Sequence, residues 1–138
     1  MSAQAKEAIA VGDRLVSKTF PAITRHRLAL YCGASGDHNP IHVDLDFAKA
    51  AGFEDVFAHG MLVMAYLGQA LTDAVAPSAI RSFSTRFSAI TQLGARLTCE
   101  GSVVELLEAD GEKRARLALT AKDEKGEVKL AGEAVIAL

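Results

Sequence analysis

Cysteine is scarce in this chain, positive charge is not in excess, and no long apolar run occurs. Each shortage removes a class of protein. Cys32 and Cys99 are too few for a disulfide framework, so a reducing cytoplasm is the expected compartment. The most apolar window, "MLVMAYLG" from Met61 to Gly68, is far too short to cross a bilayer, so no membrane association is expected. The opening "MSAQAKEAIAVGD" holds no apolar stretch of signal-peptide length, and a leader is not expected. Fifteen Lys and Arg stand against seventeen Asp and Glu, for a net charge of −2, and they are scattered. That balance provides no basic stripe for a nucleic-acid backbone. Repeats, linkers and low-complexity segments are also missing, so one domain over 1–138 is expected.

What is present is the material of a core. Half of the 138 residues are hydrophobic and 23% are charged, a globular balance. A chain of this length buries about two-thirds of its unfolded surface. The first half reads as helix and loop. Thr24 is placed to cap "RHRLALYCGAS", where Leu28, Tyr31 and Cys32 share a face. A short helix in "DLDFAKAAG" is expected to begin at Asp44 and stop at Gly52. A longer helix runs from Met61 to about Val75, closed by Pro77. It is apolar nearly all round, with Tyr66, Gln69, Thr72 and Asp73 as a thin polar edge, which predicts burial on most sides.

From Ile80 the period changes to two. Phe83, Thr85, Phe87 and Ala89 alternate with polar residues. Ala115, Leu117, Leu119 and Ala121 then face one way, as do Val128, Leu130, Ala134, Ile136 and Leu138. Asp110-Gly111 and Lys125-Gly126 are hairpin signals between these runs. An antiparallel meander packed on a buried helix is the α+β solution these patterns predict.

The chemistry is concentrated in "YCGASGDHNPIHVD", Tyr31 to Asp44. Three readings compete for it. Gly, Asp, Asn and Pro are turn residues, so a polar turn is one. His38, His42 and Asp44 are metal-ligand types, but Pro40 opposes the helix that would align the two histidines, and no Cys or second carboxylate joins them at ligand spacing. The third is acid–base work. Asp37 and His42 have different proton affinities and share one short loop, and adding water to a double bond needs one group to take a proton and another to give one. As loop residues both are expected outside the apolar core. "AHGM", Ala58 to Met61, opens the long helix, whose first N–H groups are unpaired and favour developing negative charge. Gly60 there is either an oxyanion donor or simply a residue that lets the chain turn into the helix, with His59 an ordinary residue near the cap.

The two stretches, in this order and spacing, resemble the MaoC-like (R)-specific enoyl-thioester hydratase and 3-hydroxyacyl-thioester dehydratase family. The family pattern is an aromatic, then S-G-D-x-N-P-I/L-H-x-D, then A-x-x-x-G and A-H-G-M. It is matched by Tyr31, Ser35, Gly36, Asp37, Asn39, Pro40, Ile41, His42, Asp44, Ala48, Gly52, Ala58, His59, Gly60 and Met61. The likeness runs from about Val11 to the C-terminal "AGEAVIAL". A second family pattern, R-F-x-x-P-V/L-x-x-G-D, keeps Arg86, Phe87 and Gly94 here but has Ile90 for Pro and Ala95 for Asp.

The resemblance implies a hot-dog fold, a long central helix wrapped by a curved antiparallel β-sheet. It implies a hydro-lyase that reversibly hydrates trans-2-enoyl thioesters of coenzyme A or acyl carrier protein to (R)-3-hydroxyacyl thioesters. Asp37 and His42 would hold the water, Asp37 as base and His42 delivering the proton to C2, while the Gly60 N–H polarises the thioester carbonyl. Asn39, Ser35 and His59 would support them. Phe47, Phe53, Val56 and Phe57 are candidates either for pocket lining or for core. Arg86, with Arg81, is a candidate for coenzyme A phosphates or for a solvated strand face. No metal or redox cofactor is implied. A homodimer or higher homo-oligomer is, or a heterodimer with a paralogue lacking the loop. The alternatives are a dehydratase of fatty-acid or polyketide elongation and a non-catalytic thioester-binding subunit. A thioesterase is disfavoured by the loop.

Overall fold

A computed structural model describes residues 8–138. The first seven residues, on which the expectation of no leader and the start of the 1–138 domain partly rest, lie outside the described residues. Three helices, α1 (Arg25–Ser35), α2 (Leu45–Ala50) and α3 (Gly60–Ala74), accompany five strands. The strands are β1 (Arg14–Thr19), β2 (Ile80–Phe87), β3 (Thr98–Ala109), β4 (Glu112–Lys122) and β5 (Val128–Ala137). They form one antiparallel sheet in the order β1-β3-β4-β5-β2. This is the hot-dog architecture, with α3 packed against the sheet.

Local chemistry explains most boundaries. Thr24 accepts the Arg27 amide and caps α1, and Asp44 accepts the Phe47 amide and caps α2. Asp110 (φ 53°) and Gly111 (φ 74°) both take the left-handed backbone that a two-residue hairpin between β3 and β4 requires. Ala115, Leu117, Leu119 and Ala121 all point inward from β4, where Leu117 and Leu119 meet Leu67 and Leu71 of α3 in one core.

Five expectations need correction. The strand β1 was not foreseen, because only Val16 in it is fully buried and its place depends on pairing with β3. The strands are not a simple meander. β2 lies beside β5 at the far edge, because α3 occupies one face of the sheet between β1 and β2 and the chain re-enters at the opposite side. Tyr66, read as part of a polar edge, is buried and stacks on Phe20 with ring centroids 4.6 Å apart. Finally, α3 is covered on one side only: Leu62, Val63, Leu67, Ala70 and Leu71 are buried, while Met61, Ala65, Gln69, Thr72 and Asp73 are exposed. Leu138, expected inward, is also exposed.

Candidate active site

The loop after α1 is built from side chains that bond the backbone just ahead of them. Gly36 leaves the helix with φ 76°, its N–H donating to the Cys32 carbonyl. Ser35 Oγ donates to the Tyr31 carbonyl (2.6 Å) and accepts the Asp37 amide (3.1 Å). Asp37 Oδ1 accepts the Asn39 amide (3.2 Å), and Asn39 Oδ1 accepts the Ile41 amide (3.1 Å). Pro40 then opens a single 3₁₀ turn, Pro40–His42. Such Asx-type turns hold a loop without a ladder of backbone bonds.

This turn carries His42 inward. His42 is buried at 8% exposure, and its Nδ1 lies 2.8 Å from the Phe57 carbonyl. A carbonyl only accepts, so Nδ1 carries the proton and Nε2 is left for chemistry. The expectation that both members of the pair lie outside the core therefore holds for Asp37, which is exposed, and not for His42. The Phe57 ring meets His42 edge-on at 5.4 Å. On the other side His59 stacks against His42, centroids 3.7 Å apart and planes inclined by 23°. Asp37, His42 and His59 each offer a polar atom within 4.8 Å of the other two. Burial, then the neighbouring His42, pushes the His59 pKa below the ordinary histidine value, against the pull of Asp37.

A pocket of about 350 Å³ opens beside His42, lined by Phe57, Gly60, Val63, Phe87, Ile90 and Lys129 among others. Gly60 begins α3, whose N-terminus has no side-chain cap. A Cβ at Gly60 would lie 3.0 Å from the Phe87 ring, so glycine also permits that close packing. The pocket wall at 88–91 is tied to the β4–β5 turn by a buried pair that the alternation of β5 concealed. Lys129, 3% exposed, donates to the Ile90 carbonyl (2.9 Å), contacts Asp123 (3.6 Å) and bonds Glu127. Gln92 Nε2 donates to Asp123 (3.1 Å). Burial alone would raise the Asp123 pKa, but the bonds from Gln92 and from the Glu127 and Lys125 amides, with Lys129 nearby, hold it below the usual carboxylate value. The register of β4 against β5 shifts between Ala121 and Lys122, opposite this stretch, and the simple in-out alternation fails there. Ile90 and Ala95, which replace Pro and Asp of the family pattern, sit in a turn that still closes, with Gly94 at φ 84° and the Ala95 amide on the Gln92 carbonyl.

The remaining candidates are dispersed. Phe57 lines the pocket, and Phe53 packs on Phe57 at 4.9 Å but is 38% exposed. Phe47 is on the surface and Val56 is core. Arg86 faces a separate depression with Ser84, Thr85 and Glu133, away from His42. Arg81 is engaged by both oxygens of Glu112 and by the Ser78 carbonyl. His38 is exposed, and Asp44 is occupied with its cap. Among the described residues, the metal-ligand types that do converge are instead Asp37, His42 and His59. Their geometry fits an ion poorly. Two rings stacked at 3.7 Å and inclined by only 23° have planes that meet far beyond a metal–nitrogen bond length of about 2 Å. Cys32 and Cys99 are free buried thiols, and burial pushes Cys99 up to about 12.

Comparison with known proteins shows the family and the fold. A family model described as MaoC like domain matches residues 8–125. The (R)-specific enoyl-CoA hydratase of Rhodospirillum rubrum is 32% identical over 116 residues, covering 83% of this chain and 78% of that protein. The 3-hydroxyacyl-thioester dehydratase Z of Mycobacterium tuberculosis is 37% identical over 60 residues, covering 44% of this chain and 40% of that protein. Several such curated relatives are longer, and the match spans only 9% to 40% of their length. Among solved structures, the R-hydratase PhaJ1 from Pseudomonas aeruginosa superposes with a TM-score of 0.82 at 30% identity, covering 94% of this chain and 82% of that one.

Proposed function

The chain belongs to the MaoC-like domain family, and we propose that it reversibly adds water to trans-2-enoyl thioesters to give (R)-3-hydroxyacyl thioesters. The observation that carries this reading is the convergence of Asp37 and His42 within 4.8 Å, with His42 lining a pocket that also contains Gly60 at the uncapped start of α3. In the hydration direction the Asp37 carboxylate takes a proton from water as its oxygen adds to C3. His42, anchored through Nδ1, delivers a proton from Nε2 to C2. The Gly60 N–H and the helix dipole hold the enolate charge on the thioester oxygen meanwhile. Passing the proton from Asp37 back to His42 through the next water resets the pair. No change of oxidation state occurs, so the step calls for no redox cofactor, and coenzyme A or acyl carrier protein enters as part of the substrate. Run in reverse, the same site is a 3-hydroxyacyl-thioester dehydratase, the activity in the name of the M. tuberculosis relative.

Crotonyl-CoA tests the proposal. The enone absorbance falls on adding protein, with (R)-3-hydroxybutyryl-CoA as product. Unchanged absorbance across several acyl lengths and both carriers points instead to a binding subunit, and release of free thiol to a thioesterase.

The working unit of this reading is a dimer. Among the described residues, β2 pairs only with β5, which leaves its outer edge open. Beside it lie Met61, Phe87 and Ile90, each more than half exposed, and the uncovered face of α3. A second copy that extends the sheet would cover edge and patch together. Sedimentation equilibrium at micromolar concentration is expected to give the dimer mass. A fully active monomer refutes it, and an inactive monomer rescued by a second hot-dog chain indicates a heterodimer. Among the described residues no helix is long and apolar enough to cross a membrane. With two free buried thiols, we place the protein in the reducing cytoplasm.

A further inference from the structure

His59 is joined to several parts of the site. It lies at the N-cap of α3, 2% exposed, yet it makes no cap bond. Its Nε2 is 3.2 Å from the Asp37 carbonyl oxygen and 3.5 Å from Cys32 Sγ. The Tyr31 ring meets it edge-on at 4.7 Å, and its opposite face covers His42 at 3.7 Å. One imidazole thus touches α1, the main chain of Asp37 and the ring of His42.

The bonding pattern argues that the imidazole is there for more than packing. The Asp37 carbonyl accepts, so Nε2 carries the proton of the neutral ring. Nδ1 then bears a lone pair, is buried, and has no hydrogen-bond partner. An unpaired buried acceptor is a standing loss of stability, one that a phenyl ring in the same space would not incur. The compensating feature is the bond to Asp37. It pins the backbone from which the carboxylate projects, while the stacked face limits rotation of His42 about its side chain. We propose that His59 is a positioning residue that sets Asp37 and His42 in register for proton transfer, and that it does so as a neutral ring. The groups facing it are Tyr31 and Cys32 from α1, Asp37 from the loop and His42 from the 3₁₀ turn. Two imidazoles stacked 3.7 Å apart do not both carry a charge comfortably, and burial disfavours the charge on His59. The inference rests on the hydratase reading for its kinetics but not for its tautomer.

Two variants and one spectrum test it. His59→Phe keeps the stack and loses the donor; kcat for crotonyl-CoA is expected to fall by on the order of 10²-fold with KM within about threefold, the pattern of misplaced groups. His59→Gln restores an N–H of similar reach and is expected to recover at least about tenfold of that loss. His59→Phe at wild-type kcat, a loss confined to KM, or His59→Gln no better than His59→Phe each overturns the proposal. Imidazole ¹⁵N shifts of the wild-type protein decide the tautomer independently of turnover, and decide the case if His59→Phe does not fold. They are expected to show His59 as the uncharged Nε2–H form at neutral pH. A His59 ring found charged at neutral pH, or in the Nδ1–H form, overturns the inference even if the protein leaves crotonyl-CoA untouched, whereas a silent assay with the expected spectrum faults the substrate reading alone.

Discussion

Asp37→Asn and His42→Ala are each expected to lower kcat for crotonyl-CoA hydration by on the order of 10²-fold or more, the scale of a lost general acid or base. The two substitutions differ in structural cost. Asp37 is exposed, and an asparagine keeps an oxygen for the Asn39 amide, so Asp37→Asn folds as the parent does. His42 is buried and satisfies the Phe57 carbonyl. His42→Ala strands that acceptor, at about 1–3 kcal/mol, so its kinetics belong well below the melting temperature. The double variant is expected to lose little more than the worse single, because residues that act on one water do not contribute additively. A folded single variant with near-parental kcat removes the pair from the mechanism.

Gly132→Ala is the largest structural perturbation available from one methyl group. A Cβ there would lie 2.0 Å from the Ser84 carbonyl oxygen and 2.8 Å from Thr85 Cα, both main chain of β2. Side chains can turn aside, but β2 can yield only by leaving β5, to which it is paired from Ile80 to Phe87. Overpacking against rigid backbone is expected to cost about 3 kcal/mol, which lowers Tm by roughly 10 °C in a domain of this size. Gly111→Ala is the contrast: its φ of 74° strains alanine, but nothing lies within 4 Å, and a cost near 1 kcal/mol follows. Because Phe87 ends β2 and packs on Gly60, Gly132→Ala also loosens the pocket wall, and activity falls with stability. Thermal melts of the two variants check the order, and a Gly132→Ala protein within two or three degrees of the parent contradicts the close approach.

Features set by neighbours along the chain were legible beforehand. The Thr24 and Asp44 caps, the Asp110-Gly111 turn and the inward row of β4 each depend on residues within a few positions, so their chemistry appears directly in the letters. The loop from Ser35 to His42 belongs with them, since its bonds join residues two to four apart. Tertiary structure decided the rest. β1 owes its place to β3, and β2 to the free side of β5; neither partner is near in sequence, and one buried residue in β1 leaves no periodic trace. Lys129 stands between Val128 and Leu130, and only the register shift of β4 against β5 buries it beside Asp123. Tyr66 looked polar until Phe20 met its ring. The site divides the same way. The candidates for proton transfer could be named from the loop, but their placement comes from Phe57 holding one nitrogen of His42 and His59 covering its face. Those contacts span fifteen and seventeen positions and exist only once α3 has docked, because packing, and not local bonding, brings them together.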